Sequence, residues 1–283
     1  MAHVGYDRFM AIAVVVILGV TVLLHTAPFP FLLEAFRPSR SLWRVAGKPG
    51  APPTIYLTFD DGPNPDWTPQ LLDALADTGA QATFFLIDEH ITPETVDIVQ
   101  RISNEGHRIA LHTGSRQMVV MSPDAIASRL RDAAAHIASI TGSEPCPLFR
   151  PHAGWRSEAM YDGLEKAGMT LVGWSWGMWD WDWWRERHGQ QMAQRLAKKA
   201  SAGDIIVIHD GHHKNPRADR RYAGETVRWL VPQLKSRGFA FRTLCGVPND
   251  GAIRPDDPEW EANTVGHHGK SPVRPTDTPH RSS

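Results

Sequence analysis

The sequence has no excess of charge, few cysteines and no glycine-rich phosphate motif. Its 30 basic and 31 acidic residues give a formal net charge of -1, so we expect no nucleic-acid partner. Only Cys146 and Cys245 are present, and they fit one disulfide or, as we expect, two thiols in the core. No predicted strand is followed by a glycine-rich turn, which disfavours nucleotide binding. With 283 residues, 42% of them hydrophobic, the chain can bury the core of one large domain.

One long apolar run lies near the N-terminus. Between residues 9 and 24 there is no charged residue and only Thr21 is polar, and the run extends to Ala27. A membrane span needs about 20 apolar residues, so the run predicts one transmembrane helix and membrane attachment through residues 9–27. A cleaved signal peptide is the alternative. Three arginines follow the run and one precedes it, which by the positive-inside rule favours an inward-facing domain.

Composition divides the chain into four predicted regions. Residues 1–33 form the anchor or signal segment, and residues 34–51 form a linker. Residues 52–246 carry alternating strand-like and helix-like segments and are predicted to fold as the main domain. Residues 247–283 are rich in proline, aspartate, histidine and serine without an apolar period, which predicts a disordered tail.

Seven short apolar runs in the main domain predict β-strands, with helix-like segments between most of them. The clearest helix has Ser122 as its N-cap and Pro123 in its first turn, and it ends at Gly142. Strand and helix alternation predicts a parallel sheet flanked by helices, as a barrel or an open sheet. The predicted strands are Thr54 to Phe59, Ala82 to Ile87, His107 to His112, Leu148 to Arg150, Thr170 to Ser175, Ile205 to His209 and Phe239 to Leu244.

Polar side chains stand at or after the ends of five of these strands. In chain order they are Asp60 with Asp61, His112, Arg150, Asp180, and His209 with Asp210. Residues from many strands that meet at the carboxyl edge of the sheet are typical of a barrel active site, whereas an open sheet draws on fewer strands. The pattern therefore favours an α/β barrel enzyme.

Five motifs stand in a fixed order along the chain. They are Thr58–Pro63, Gly106–Thr113, Phe149–Gly154, Trp174–Trp181 and Val207–Asp210. In order and spacing they resemble the motifs of the polysaccharide deacetylase family, also called the NodB-homology family, over about residues 52–246. The resemblance implies an irregular (β/α)7-type barrel, here preceded by the N-terminal transmembrane helix. It also implies hydrolysis of an N-acyl group on a sugar.

The resemblance assigns Asp61 and His112 as ligands of a divalent metal such as zinc. The family has a second histidine four residues after the first, but this chain has Arg116, whose guanidinium offers no lone pair. His152, where the family usually has proline, could supply the missing ligand, or Asp61 and His112 could hold a metal weakly with waters. Arg116 could instead replace the metal by polarising the acyl oxygen, or the chain could be an inactive relative.

The same resemblance assigns the groups that move protons. Asp60 is the general base that activates water, and Arg150 pairs with it and orients it. His209 is the general acid for the departing nitrogen, a role that suits the titration range of histidine. Asp180 orients His209.

Three further residues have roles implied by the resemblance. The backbone N–H near Ala153 helps to bind the oxyanion, and Trp181 with Val207 forms the pocket for the acyl group. Seven of the eleven tryptophans lie between residues 155 and 184, and for the others a packing role is expected at least as much as sugar stacking. His212 and His213 lie beyond the last motif, and we expect them in a polar loop.

These residues predict a hydrolase that removes an N-acetyl, or alternatively an N-formyl, group from an N-acylated glycan. An envelope substrate requires the domain outside the cytoplasm, against the positive-inside rule, and we expect the outward orientation. The alternatives are a lipid-linked sugar as substrate, and a carbohydrate-binding protein that has lost turnover.

Overall fold

A curled, all-parallel β-sheet covered by helices positions the residues singled out above. The computed structural model describes residues 10–19, 41–47, 50–177 and 187–246. The sheet has the order β1-β6-β5-β4-β3-β2-β8-β7, and β9 pairs with β2 outside this path. The strands are β1 Ser41–Leu42, β2 Thr54–Asp60, β3 Ala82–Ile87, β4 Arg108–His112, β5 Leu148–Arg150, β6 Thr170–Val172, β7 Trp176–Gly177, β8 Ile205–His209 and β9 Ala240–Phe241.

Six helices flank the sheet within the described residues. The helix predicted between Ser122 and Gly142 is confirmed, because the Ser122 hydroxyl accepts a hydrogen bond from the Ala125 N–H and Gly142 ends the helix with φ 69°. The helices are α1 Thr68–Thr78, α2 Val96–Asn104, α3 Pro123–Thr141, α4 Glu158–Ala167, α5 Gly189–Lys199 and α6 Arg221–Lys235.

The two faces of the sheet bury different sets of side chains. Phe59, Phe84 and Phe149 lie in the larger core, between the sheet and the helices. Tyr56 and Phe85 lie in a smaller core inside the curl of the sheet. Because successive residues of a strand point to opposite faces, polar residues two or four positions from the inner set also face inward.

The predicted parallel sheet with flanking helices is confirmed in the form of a curled half-barrel, but within the described residues its strands do not close into a continuous ladder. Strands β1 and β7 are the edges, and each has two residues, which is too short for a longer ladder between them. Between the two edges the described chain makes one isolated antiparallel bridge, Arg44 to Asp204, and the Val45 N–H donates to the Gly203 carbonyl at 2.8 Å.

Two predicted strands differ from the observed ones. The run Thr170 to Ser175 is interrupted after Val172. The next residue, Gly173, lies against the Trp43 ring, where a Cβ atom would come within 1.8 Å of ring carbons. The run Phe239 to Leu244 forms only the two residues of β9. Strand β1 lies inside the segment predicted as a linker and pairs with β6, so the sheet begins before residue 52.

The predicted membrane span is only partly described. Residues 10–19 are helical, but among the described residues no helix is both long and apolar enough to cross a membrane. The structure therefore gives no support for the transmembrane helix over 9–27, whose remaining residues lie outside the described ranges. The predicted tail, residues 247–283, lies outside them as well.

Cys146 and Cys245 form a disulfide, with their Cα atoms 5.4 Å apart, so the expectation of two core thiols is wrong. The pairing arises because the segment after β9 returns to the inner side of the sheet. There the Leu244 N–H donates to the Thr83 hydroxyl at 2.9 Å, which brings Cys245 to the entrance of β5. The bridge ties residues 99 positions apart in the chain, a contact that spacing alone could not indicate.

Candidate active site

Four polar side chains converge on the inner face, at the carboxyl ends of four strands. Asp60 on β2 stands beside His209 on β8, and His112 on β4 stands beside Arg150 on β5. The strands β2, β3, β4 and β5 are consecutive neighbours in the sheet, with β8 on the far side of β2. The predicted convergence of these four residues is therefore confirmed.

Asp60 and Arg150 form a buried ion pair. The Arg150 Nη1 donates to Asp60 Oδ1 at 2.6 Å and to the Thr58 hydroxyl at 2.8 Å. Arg150 is fully buried, and its Nη2 donates to the Gly173 carbonyl at 2.9 Å. Its guanidinium also lies 4.0 Å from the centroid of the Phe85 ring. These contacts hold Asp60 in one orientation at the mouth of the sheet, and they include the pairing with Arg150 that the resemblance implied.

Asp61 has an unusual backbone that aims its carboxylate into the same site. Its φ is 70°, a left-handed value that a residue with a side chain rarely adopts. The His90 Nδ1 donates to the Asp61 carbonyl at 3.0 Å, and a Cβ atom at Gly211 would lie 1.9 Å from that carbonyl oxygen. The conformation therefore depends on a histidine and a glycine that sequence reasoning did not single out.

Asp61, His112 and His152 form the group in the described chain that could hold a metal ion. One ligand atom from each residue lies within 4.8 Å of those of the other two. Asp61 and His112 are buried, and His152 is partly exposed on the 3₁₀ turn His152–Gly154. The structure thus brings together the two predicted ligands and the predicted replacement for the missing histidine.

The donor atoms of this cluster fit a cation. The His112 Nδ1 lies 2.7 Å from the Arg150 carbonyl, which can only accept, so this nitrogen carries a proton and neutral His112 keeps a lone pair on Nε2. That nitrogen lies 3.1 Å from Asp61 Oδ1, which is buried without a hydrogen-bond partner. A proton on Nε2, or a metal ion between the two atoms in its place, would satisfy that oxygen.

The charges around the cluster also suit a cation. Burial works to raise the pKa of Asp61, but the adjacent His112, together with the charges of His209 and His152, outweighs it and lowers that pKa well below its usual range. Burial works to lower the pKa of His112, but the carboxylates of Asp60 and Asp61 outweigh it and raise it. Burial and the nearby His112 lower the pKa of His152 to about 4, so its neutral ring offers a lone pair near pH 7.

Arg116 lies at the margin of this cluster. Its side chain is exposed, and its guanidinium lies 5.0 Å from the centroid of the Trp155 ring. Among the described residues it makes no hydrogen bond or ion pair with Asp61 or His112. It is near enough for its charge to help lower the pKa of His152. The described residues therefore show no contact that would support the prediction that Arg116 replaces the metal.

Of the other predicted site residues, two lie within the described ranges and two lie outside them. Val207 is buried on the inner face of β8, two residues before the partly exposed His209. Ala153 is exposed with φ 50°, and its N–H has no hydrogen-bond partner among the described residues. Asp180 and Trp181 lie in residues 178–186, outside the described ranges, so the predicted partner of His209 and the predicted acyl pocket stay predictions.

A buried carboxyl group beside the site, Asp210, was not assigned a role from the sequence. Its Oδ2 accepts a hydrogen bond from the Thr68 hydroxyl at 2.5 Å, whereas Oδ1 is buried without a partner. Burial raises the pKa of Asp210 to about 7; the Thr68 hydrogen bond opposes this rise, and the charges of Asp61 and Asp60 add to it. Near neutral pH this group therefore carries a proton about half the time.

We expect the Asp210→Asn variant to change how stability depends on pH. Between about pH 4 and pH 7 the folded Asp210 keeps a proton that the unfolded chain loses, so wild-type stability falls as pH rises through this window. The variant lacks this decrease in the free energy of unfolding, which approaches about 1.4 kcal/mol per pH unit. Urea unfolding at several pH values, with a chelator present, measures the free energy of unfolding. The exposed substitution Asp97→Asn serves as the control. Parallel curves for wild type and Asp210→Asn would contradict the expectation.

Comparisons with known proteins show one family. The profile of the Polysaccharide deacetylase family matches residues 47–172. A peptidoglycan-N-acetylglucosamine deacetylase of Bacillus cereus is 32% identical over 203 residues, 71% of this chain and 90% of the relative. A chitooligosaccharide deacetylase of Rhizobium leguminosarum bv. trifolii is 31% identical, over 67% and 89%. A family 4 acetyl xylan esterase of Clostridium thermocellum, solved with a cobalt ion, has a TM-score of 0.59 at 31% identity, over 68% and 88%.

Proposed function

The chain belongs to the polysaccharide deacetylase family, and we propose that it is a hydrolase that removes acetyl groups from the amino sugars of a polysaccharide. The observation that carries the proposal is the pairing of Asp60 with Arg150 at 2.6 Å, next to the Asp61, His112 and His152 cluster. A base held beside a cation site is the arrangement that water-dependent cleavage of an acyl group requires.

The residues on the inner face divide the reaction between them. Asp60 takes a proton from a water molecule, whose oxygen bonds to the acyl carbon. The bond from that carbon to nitrogen then breaks, and His209 supplies the proton that the leaving amine needs. The products are acetate and a free amino sugar. The N–H of Ala153, which donates to no acceptor among the described residues, supports a role in binding the oxyanion that develops on the acyl oxygen.

We propose that Asp61, His112 and His152 hold a divalent metal ion. The three donors are one carboxylate and two neutral imidazoles, a set that suits zinc and similar ions. A bound ion would act as a Lewis acid on the acyl oxygen. Asp61 supplies the negative charge, and the Arg150 carbonyl fixes the ring of His112 through its Nδ1–H.

We also propose that the domain works outside the cytoplasm, where a cell-envelope polysaccharide is met. The Cys146–Cys245 disulfide supports this, because such bonds persist mainly in oxidising compartments. If cells are lysed with an alkylating reagent, both cysteines should escape modification until a reductant is added. Full alkylation without reductant would place the protein in a reducing compartment.

Deacetylation of N-acetylglucosamine oligomers by the purified full-length chain tests the proposed function. Release of acetate with equal release of free amine, lost on chelation and regained when Zn²⁺ or Co²⁺ is added, is the expected result. Acetylated xylan serves as the comparison substrate, because release from xylan alone would indicate an esterase. Sugar binding without turnover on any of several N-acylated glycans would indicate the binding-protein alternative.

A further inference from the structure

His152 differs from His112 in how its ring is held. The His112 ring is fixed by a hydrogen bond from its Nδ1–H to the Arg150 carbonyl. Metal-binding histidines usually have such a partner for their second nitrogen, which fixes the orientation of the ring. The ring nitrogens of His152 have no hydrogen-bond partner among the described residues, and His152 lies on a partly exposed turn. The orientation of its ring relative to Asp61 and His112 therefore depends on contacts other than hydrogen bonds.

The loop after β8 supplies a second ring that packs on His152. The centroids of His152 and His213 are 4.5 Å apart, and those of His213 and His212 are 4.4 Å apart. His212 is itself fixed in the loop, because its Nδ1 accepts the N–H groups of Lys214 and Asn215, each at 3.1 Å. The ring of His213 therefore packs between the ring of His212, which is fixed in the loop, and the ring of His152, the candidate ligand.

The backbone of His213 is placed by a different part of the site. A Cβ atom at Gly114 would lie 3.2 Å from the His213 carbonyl oxygen, so the loop after β8 packs closely on the turn after His112. The His213 side chain therefore contacts the loop after β5, while its backbone lies against the loop after β4. These are the two loops that carry His152 and follow His112.

We propose that His213 is a positioning residue for His152, which holds the imidazole of this ligand by ring packing. The inference rests on the proposed metal site at Asp61, His112 and His152. His213 orients the ring of His152 by packing, whereas the Arg150 carbonyl orients the ring of His112 through a hydrogen bond. The chain needs such support here because its third ligand stands on a partly exposed turn after Pro151, at position 152 instead of position 116.

Titration of the metal-free full-length protein with Co²⁺ alone tests the proposal, by calorimetry and by the visible absorption of the bound ion. His213→Ala should weaken Co²⁺ binding roughly 10–100-fold, the usual cost of losing an outer partner of a ligand. His213→Phe keeps a flat ring in the same place and should restore most of the affinity. At saturating Co²⁺ the turnover of His213→Ala should return to within a few-fold of wild type.

The double variant Arg116→His/His152→Pro is the matched control. It removes the imidazole on which His213 packs and restores a histidine at position 116, so adding His213→Ala to it should leave the Co²⁺ affinity unchanged. If His213→Ala alone binds Co²⁺ as tightly as wild type, the positioning role is wrong and the proposed site stands. If His213→Phe is as weak as His213→Ala, His213 is a ligand and the proposal is wrong. Wild-type protein that binds no Co²⁺ overturns the proposed site and this inference with it.

Discussion

Replacing Asp60 by asparagine should lower kcat by about 10²–10⁴-fold while the affinity for N-acetylated oligosaccharide changes little. The substitution removes the group that takes the proton from water, and general bases contribute about that much to rate. Asparagine keeps an oxygen that can accept from Arg150 Nη1, which lies 2.6 Å from Asp60 Oδ1 in the wild type. Initial rates of acetate release, with oligosaccharide binding by calorimetry on the same preparation, measure both quantities.

The same substitution leaves a buried guanidinium without its carboxylate, so a loss of stability must be separated from a loss of chemistry. Arg150 is fully buried, and breaking such a pair costs about 3–5 kcal/mol. Thr58→Val is the matched control, since the Thr58 hydroxyl accepts from the same Nη1 at 2.8 Å but moves no proton in the reaction. If Thr58→Val lowers kcat as much as Asp60→Asn, Asp60 acts through the buried network and not as the base.

The convergence of the site could be predicted because it depends on local order in the chain. Asp60, His112, Arg150 and His209 each stand at the carboxyl end of an apolar strand, and parallel strands place these ends at one edge. The alternation of side chains then decides which of them face inward. The pair between Asp60 and Arg150 followed from the resemblance, and the structure confirms that the two groups are in contact.

Contacts between loops could not be predicted in the same way. His213 packs on His152 only because the loops after β5 and β8 fold towards each other, and neither loop has a periodic pattern. The disulfide depends on the path of the chain after β9, and the pairing of Thr68 with Asp210 joins a helix start to a strand end. Sequence signals did exist for His152, because a histidine stands where proline is usual while the expected ligand is missing.

Closure of the sheet is a third feature that could not be predicted from the sequence. Seven apolar runs, five of them with polar residues at or after their ends, predicted a barrel, but closure depends on the lengths of β1 and β7, which are two residues each. Strand β1 escaped detection because two residues cannot show a period of two. The bridge between Arg44 and Asp204 replaces a ladder at that point, and its ion pair involves a fully buried carboxylate.

Replacing His152 by alanine should remove most of the metal and most of the turnover, whereas replacing Arg116 by alanine should change each by no more than a few-fold. His152 is the third member of the only donor cluster found in the described chain, and two protein ligands seldom hold zinc well. The loss on His152→Ala should exceed the roughly 10–100-fold that removal of a supporting partner costs. Metal content after dialysis and acetate release from N-acetylglucosamine oligomers measure the two effects.

Both substitutions leave the buried network of Asp60 and Arg150 untouched, so neither should unfold the domain. His152 is partly exposed, and Arg116 is exposed over the Trp155 ring. The opposite result, a wild type active without metal and an Arg116→Ala variant that loses turnover, would mean that the guanidinium polarises the acyl oxygen in place of a metal ion. Chelation separates the two mechanisms before any variant is made, because a guanidinium cannot be removed by a chelator and a bound cation can.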